Sequence, residues 1–317
     1  MNALQPADQR DVTERCGSPE LFQQTVPRAL VHRAAVSEVL VTGVRHSGGG
    51  GHQVGAQWPR GHSYYGPVAG RWHDPMIFAE TIRQACVLLA HQTLAVPIGH
   101  SFLTVAHSFA ILADGARIAD QPAHVILEVS LHNVVRRRGN VSSFACSIDA
   151  YRDGERIGIG DSVANCVTPA VYKRLRAHRL GAVPSPDMPE PVQPELVGRS
   201  SASDVVLSPP LDDGTCILRF DASHPILFDH PVDHVPGMVV MEAARQAAIL
   251  TVGIPGGLLL ACSADFLRYI EFDAPCVVSP TAPEEVTPGL HVLTVTFHQA
   301  GSLVGSCRVT VFDGRAQ

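Results

Sequence analysis

The segment PGMVVMEAARQAAILTV (236–252) has an earlier counterpart in the same chain, DPMIFAETIRQACVLLA (74–90). With Glu80 set over Glu242, Met76 falls on Met238, Arg83 on Arg245, Gln84 on Gln246 and Ala85 on Ala247. Each segment is apolar nearly all round, which predicts a buried helix. Glu, Arg and Gln at i, i+3 and i+4 share one face of that helix. A chain that repeats a buried helix must also repeat the layer that buries it, so a duplicated unit is expected.

The surrounding text supports this. Asp74-Pro75 is a strong helix start, an Asp cap followed by Pro at the first helical position. Each helix is followed by a Pro-Gly turn, VPIGHSFL in the first half and IPGGLLLA in the second. Strand-like stretches come next: HVILEVSLHNVV, VSSFACSIDAYRDG and RIGIGDSVANCV in the first half, FLRYIEFDA, HVLTVTFHQAG and LVGSCRVTVFDG in the second. VHRAAVSEVLVTG, ahead of the first helix, also alternates and favours β-branched residues, so it reads as a strand. The order predicts an α+β fold in each half, a single helix laid on a curled antiparallel sheet.

Polarity and proline set the expected boundaries. Residues 1–28 are polar and read as a flexible arm. AVPSPDMPEPVQPE (182–195) has five prolines, three acids and almost nothing to bury, which reads as a stiff linker. The domains expected are therefore 29–178 and 201–317, joined by 179–200. RHSGGGGHQ (45–53) reads as a mobile loop. It lacks the Gly-Lys-Ser/Thr ending of a phosphate cradle.

Composition excludes several classes. The chain has 317 residues, 45% hydrophobic and 17% charged, enough apolar content for a substantial core. A net charge of −6 argues against a nucleic-acid partner. The eight cysteines form no C-x-x-C pair, which points to reduced, buried thiols and to no disulfide frame or zinc site. No run of eighteen apolar residues and no signal-peptide pattern is present, so no membrane partner is expected and the cytoplasm is the expected location.

Two features carry chemistry. The polar stripe is either a site, a carboxylate and a guanidinium on a buried helix, or a structural tether of the helix to a loop. Buried ion pairs are poor stabilisers, and the stripe occurs twice, which favours the site reading. The loop HPVDH (230–234) offers His230, Asp233 and His234. These suit acid–base or substrate-orienting work or a structural histidine better than a metal, since H-E-x-x-H spacing is absent. The matching first-half region, PRGHSYYGPVAGRWHDP, contains His62, Tyr64, Tyr65 and His73. It reads as longer and less similar, so two equivalent sites are not expected. Arg136–Arg138 form a basic cluster, either a solvated turn or a docking point for an acidic carrier or a phosphorylated arm.

These residues also carry a resemblance. DHPVDHVPGMVVMEAARQA, HDPMIFAETIRQA and VGAQWPRGHSYYGPVAGRWHDP resemble the signature segments of the A-factor biosynthesis family, over roughly residues 30–317. The resemblance implies a tandem hotdog fold, two curled antiparallel sheets each wrapping a central apolar helix and packed as a pseudo-dimer in one chain. It implies an acyltransferase that joins a β-ketoacyl thioester, on an acyl carrier protein or CoA, to dihydroxyacetone phosphate. The product is a phosphorylated β-keto ester on the way to a butyrolactone- or furan-type signal. No cofactor is implied, and a homodimer is a candidate assembly. More distantly, the loop is similar to that of hotdog dehydratases, but His230 to Pro236 is two residues shorter than their pattern wants.

On this reading Glu242, Arg245, Glu80 and His230 are the catalytic candidates. The carboxylate would act as a base if burial raised its pKa. Amides near Gly237 and Met238 would stabilise an oxyanion at the helix start. Arg245 or Arg83 would hold the acceptor phosphate. Gln84, Gln246, His62, Tyr65, Asp233 and His234 complete the expected substrate site. A hotdog thioesterase or dehydratase, or a non-catalytic acyl-ligand binder, are the alternatives.

Overall fold

The structure, a computed structural model, describes residues 19–47, 51–182 and 188–314. Its helices are α1 (Met76–Gln92), α2 (Pro169–Leu175) and α3 (Gly237–Val252). The first-half strands are β1 (Val41–His46), β2 (His52–Trp58), β3 (Ser101–Ile111), β4 (Ala123–Arg137), β5 (Asn140–Arg152) and β6 (Glu155–Val167). The second-half strands are β7 (Cys216–Ile217), β8 (Leu258–Phe266), β9 (Cys276–Pro280), β10 (Glu284–Thr287), β11 (Leu290–Gln299) and β12 (Ser302–Phe312).

The strands form one antiparallel sheet in the order β1-β2-β4-β5-β6-β3-β8-β12-β11-β9-β7, with β10 on β11. The two halves meet where β3 pairs with β8, from Ala106 opposite Asp265 to Ala110 opposite Ala261. Helix α1 packs on β1, β2, β3 and β6, and α3 on β8, β9, β11 and β12. Alternation directs one strand face to each helix. In β12, Cys307, Val309 and Val311 are buried while Arg308 is exposed. Glycine permits the closest approach on the first-half side: a Cβ at Gly160 would lie 2.3 Å from Ile82 Cδ1. Thr81, the odd polar residue of α1, is satisfied in place. It donates to Ile77 O (2.7 Å) and accepts from Trp58 Nε1 (2.9 Å).

Several expectations need correction. The stretch before α1 is not one strand. It contains 3₁₀ turns at Arg28–Val31 and Val36–Glu38, and β1 begins only at Val41. Side chains from α1 occupy the backbone groups that a strand neighbour would have used. FLRYIEFDA is not a strand either. Strand β8 ends at Phe266, and the amides of Leu267 and Arg268 both donate to Val304 O. The strand is the preceding LLLACSADF, whose first four residues read from sequence as the tail of a turn.

The arm and the linker bury more than their polarity suggests. Leu21 and Val26 are buried, Val26 N–H donates to Val41 O, and a Cβ at Gly55 would lie 2.6 Å from Leu21 Cγ. Val192 and Val197 are buried in the core. Residues 1–18, 48–50, 183–187 and 315–317, which include most of the arm, three of the four successive glycines and part of the linker, lie outside the described residues. Among the described residues no helix is long and apolar enough to cross a membrane.

Candidate active site

The two polar stripes form two matching networks. Glu80 accepts from Arg33 Nε (2.9 Å), Arg83 Nε (2.8 Å) and Gln84 Nε2 (2.7 Å). Glu242 accepts from Arg199 Nε (3.0 Å), Arg245 Nε (2.8 Å) and Gln246 Nε2 (2.6 Å). Gln84 Oε1 accepts from Leu40 N, and its Nε2 also donates to Glu38 O. Gln246 does the same to Val206 N and Asp204 O. Each stripe therefore ties its helix to the loop that precedes it, using backbone groups that would otherwise be buried without partners.

This geometry corrects one premise of the sequence reading. Burial pushes both carboxyls up, but Arg33 and Arg83 outweigh it at Glu80, and Arg199 and Arg245 at Glu242. Both are held at about 2. A carboxylate so placed is saturated with donors and is a poor base. Arg245 is equally enclosed, with Nη2 shared between Glu242 and Val197 O. Arg83 differs. Its Nε and Nη2 are engaged by Glu80 and Val31 O, no described residue accepts from Nη1, and a quarter of the side chain is exposed.

The first-half loop is not longer than its counterpart. His62 and His224 are separated by the same interval as Glu80 and Glu242. His62 Nδ1 accepts from Tyr64 N and Tyr65 N, and its Nε2 lies 3.4 Å from Glu38 Oε2. His224 Nδ1 accepts from Ile226 N and Leu227 N, and its Nε2 lies 3.0 Å from Asp204 Oδ1. Both histidines are loop pins. Tyr65 packs on His62 with ring centroids 4.9 Å apart.

The cavity lies elsewhere, between the halves. A cleft of ≈1420 Å³ is lined by Arg83 and Tyr65 from the first half and by the loop and start of α3, including His230, Asp233, His234, Gly237 and Met238, from the second. Phe102, Val87, Val240 and Met241 supply apolar wall. Glu80, Glu242, Arg245, Gln84, Gln246 and His62 are not part of its lining. The second-half loop thus faces the first-half helix, and the stripe in the same half as the loop lies outside the cleft. His100 Nδ1 and Tyr269 OH, both on cleft-lining residues, are buried with no partner among the described residues.

Helix starts differ between the halves. In α1, Asp74 Oδ1 accepts from Met76 N (3.0 Å). At the matching position α3 has Pro236, with no side-chain cap. Gly237 and Met238 therefore bring an uncapped helix start to the cleft. A Cβ at 237 would lie 3.1 Å from the Phe266 ring, so glycine permits this close packing.

The loop residues are unequal. Asp229 accepts from Ala34 N and Ala35 N, anchoring the loop to the first half. His230 is about half exposed (49%), and its Nδ1 lies 3.5 Å from Asp229 Oδ2. His234 Nδ1 lies 2.7 Å from Asp233 Oδ1. Asp233 also accepts from Tyr172 OH (2.7 Å) and Arg176 Nε (3.1 Å). Among the described residues no group of three or more His, Cys, Asp or Glu could hold a metal.

The residues missed from sequence are Arg33, Arg199, His224, Tyr172 and Arg176. Aligning LVHRAAVSEVL with LVGRSSASDVV would have exposed the first two as a repeat. The helical repeat was visible because it is apolar, and this one is polar and short.

A helix on an antiparallel sheet, built twice in one chain, defines a hotdog-class α+β protein. Residues 17–168 and 182–313 match the A-factor biosynthesis hotdog domain, and the chain belongs to that family. It is 40% identical to a 2-oxo-3-(phosphooxy)propyl 3-oxoalkanoate synthase of Streptomyces virginiae, over 90% of this chain and 97% of that one. It is 37% identical to a protein of the same name from Streptomyces coelicolor, over 88% and 89%. Among solved structures it is similar to an acyl-ACP thioesterase from Bacteroides thetaiotaomicron, with TM-score 0.49, 11% identity and coverage of 82% and 97%.

Proposed function

We propose that this chain transfers a β-ketoacyl group from a thioester to the primary hydroxyl of dihydroxyacetone phosphate. The name shared by its relatives describes that product, an ester of a 3-oxo acid in which the alcohol part carries a ketone and a phosphate. The observation that carries the reading is the uncapped start of α3 opening onto a cleft that also holds Arg83. The donor's thioester carbonyl sits against the Gly237 and Met238 amides, which stabilise the oxyanion formed on attack. The acyl chain lies along the apolar wall. Arg83 Nη1 holds the acceptor phosphate.

On the same reading the two halves are a pseudo-dimer of curled hotdogs, 29–178 and 201–317, joined by 179–200. One working cleft forms where the second-half loop faces the first-half helix. At the position matching Ile226 of the cleft wall, the first half has Tyr64, buried with the Arg199 guanidinium 4.1 Å above its ring. The stripes hold the two loops in register, and the chemistry falls to the cleft.

The test is mass spectrometry of the protein with a β-ketoacyl thioester, with and without dihydroxyacetone phosphate. A phosphorylated β-keto ester only when both are present is the expected result. Release of free acid at the same rate without acceptor would make it a thioesterase. Saturable binding without turnover would make it an acyl-ligand binder.

A further inference from the structure

The reaction needs a base, and the stripe carboxylates are saturated. The cleft contains one group arranged for the task. An ionised Asp233 accepts only, so the 2.7 Å contact places the proton of His234 on Nδ1 and leaves the lone pair on Nε2. Asp233 is in turn fixed from three sides. Tyr172 OH and Arg176 Nε donate to its two carboxylate oxygens, and Arg176 Nη2 donates to its backbone carbonyl (2.8 Å). Arg176 is itself locked by Glu271, at 2.6 and 2.8 Å. Tyr269 packs edge-on against the His234 ring with centroids 4.7 Å apart. The imidazole therefore has one orientation, and no described residue meets Nε2.

From these contacts we propose that His234 is the general base, taking the proton of the attacking primary hydroxyl on Nε2, and that Asp233 is its positioning residue. The inference rests on the transfer reading above and names its base. The hydroxyl oxygen, losing its proton to Nε2, bonds to the thioester carbon. The tetrahedral oxyanion rests on the amides at the start of α3, only three residues further along the chain. Its collapse breaks the carbon–sulfur bond, and the imidazolium returns the proton to the departing sulfur. Acyl passes from sulfur to oxygen, and a free thiol leaves.

The other histidine of the loop lacks this arrangement. His230 is half exposed, and its Nδ1 stands 3.5 Å from Asp229 Oδ2, too far for the carboxylate to fix its ring as Asp233 fixes that of His234 at 2.7 Å. In the first half the positions matching Asp233 and His234 are Arg71 and Trp72, so the duplication has one dyad. Tyr172 and Arg176, which hold the dyad, come from α2 and the residue after it, on the segment that connects the halves.

The groups facing His234 are Asp233 on its own loop, Arg176 and Tyr172 from the connecting segment, and Tyr269 and Glu271 from the stretch after β8. Burial lowers the imidazole pKa, and Asp233 opposes it. Removing the Asp233 charge must therefore lower it further.

The experiment is ester formation by the full chain from a β-ketoacyl pantetheine thioester and dihydroxyacetone phosphate, followed against pH. His234→Asn keeps a donor for Asp233 and removes Nε2. It is expected to melt near the wild type and to lose about 10²–10⁴-fold in rate. His234→Ala should regain part of its rate with added imidazole. Asp233→Asn should slow the reaction and move its acid limb to lower pH, a change that a merely structural carboxylate would not produce. A wild-type rate in His234→Asn, or an unmoved acid limb in Asp233→Asn, overturns the assignment. Absence of ester with the wild type overturns the transfer reading as well, so the two failures are distinct.

Discussion

Arg33 and Arg199 make the same pair of contacts from opposite halves. Through Nε each binds the carboxylate of its own helix, Glu80 or Glu242, and through Nη1 each donates across to the other half, to Ile226 O (3.1 Å) or Tyr64 O (2.6 Å). Both are buried. Truncating one partner of a buried pair leaves an unpaired charge and costs about 3–5 kcal/mol. Arg199→Ala and Arg33→Ala are expected to lose stability on that scale, read by denaturant unfolding. Lysine should not restore it, because a point charge cannot make both contacts. A loss below about 1 kcal/mol would remove the clamp.

Glu242→Gln tests tether against base. The amide keeps the shape but leaves Arg199 and Arg245 facing a neutral partner. We expect a lower Tm, with turnover per folded molecule within a few-fold of wild type. Loss of turnover at an unchanged Tm would instead make the carboxylate the catalytic base.

Acid should unfold this chain through the same carboxylates. Both are held at about 2, below the ordinary 4.5, so their contribution is complete above about pH 4.5 and is lost as pH falls toward 2. Each contributes of the order of 3 kcal/mol at neutral pH. Unfolding midpoints measured from pH 7 to 2.5 should hold steady to about 4.5 and then drop. In Glu80→Gln that drop should be shallower.

Arg83 should set the acceptor preference. Hydrogen bonds to charged groups contribute about 1.5–3 kcal/mol, or roughly tenfold and more in specificity. Dihydroxyacetone without its phosphate is expected to be at least tenfold poorer with the wild type, and nearly equal with Arg83→Ala. Equal use of both acceptors by the wild type would remove the phosphate from Arg83.

Gly237→Ala adds a methyl group 3.1 Å from the Phe266 ring at the start of α3. Displacement of the first amides should lower kcat more than it raises the donor KM, since an oxyanion contact acts in the transition state. A change confined to KM would place the amides outside the chemistry.

The sequence by itself determined α1 and α3 and the strands β4, β5, β6, β11 and β12. Apolar periodicity is local, so the aligned E-x-x-R-Q segments appear as α1 and α3, and HVILEVSLHNVV and LVGSCRVTVFDG as strands. Polar partnership is not local. Nothing within either helix says that Glu242 meets Arg199 from 43 residues away, or that Arg176 reaches Asp233 across 57. Burial alone would have raised the carboxyl pKa, and only the folded chain supplies the two guanidiniums that reverse the sign. Likewise the HPVDH loop could be read as chemical from its residues, but not the choice between His230 and His234. That choice depends on which imidazole its aspartate reaches: His234 Nδ1 lies 2.7 Å from Asp233 Oδ1, and His230 Nδ1 lies 3.5 Å from Asp229 Oδ2. Backbone amides of the first half take both oxygens of Asp229, while Tyr172 and Arg176 hold Asp233 in place for the imidazole.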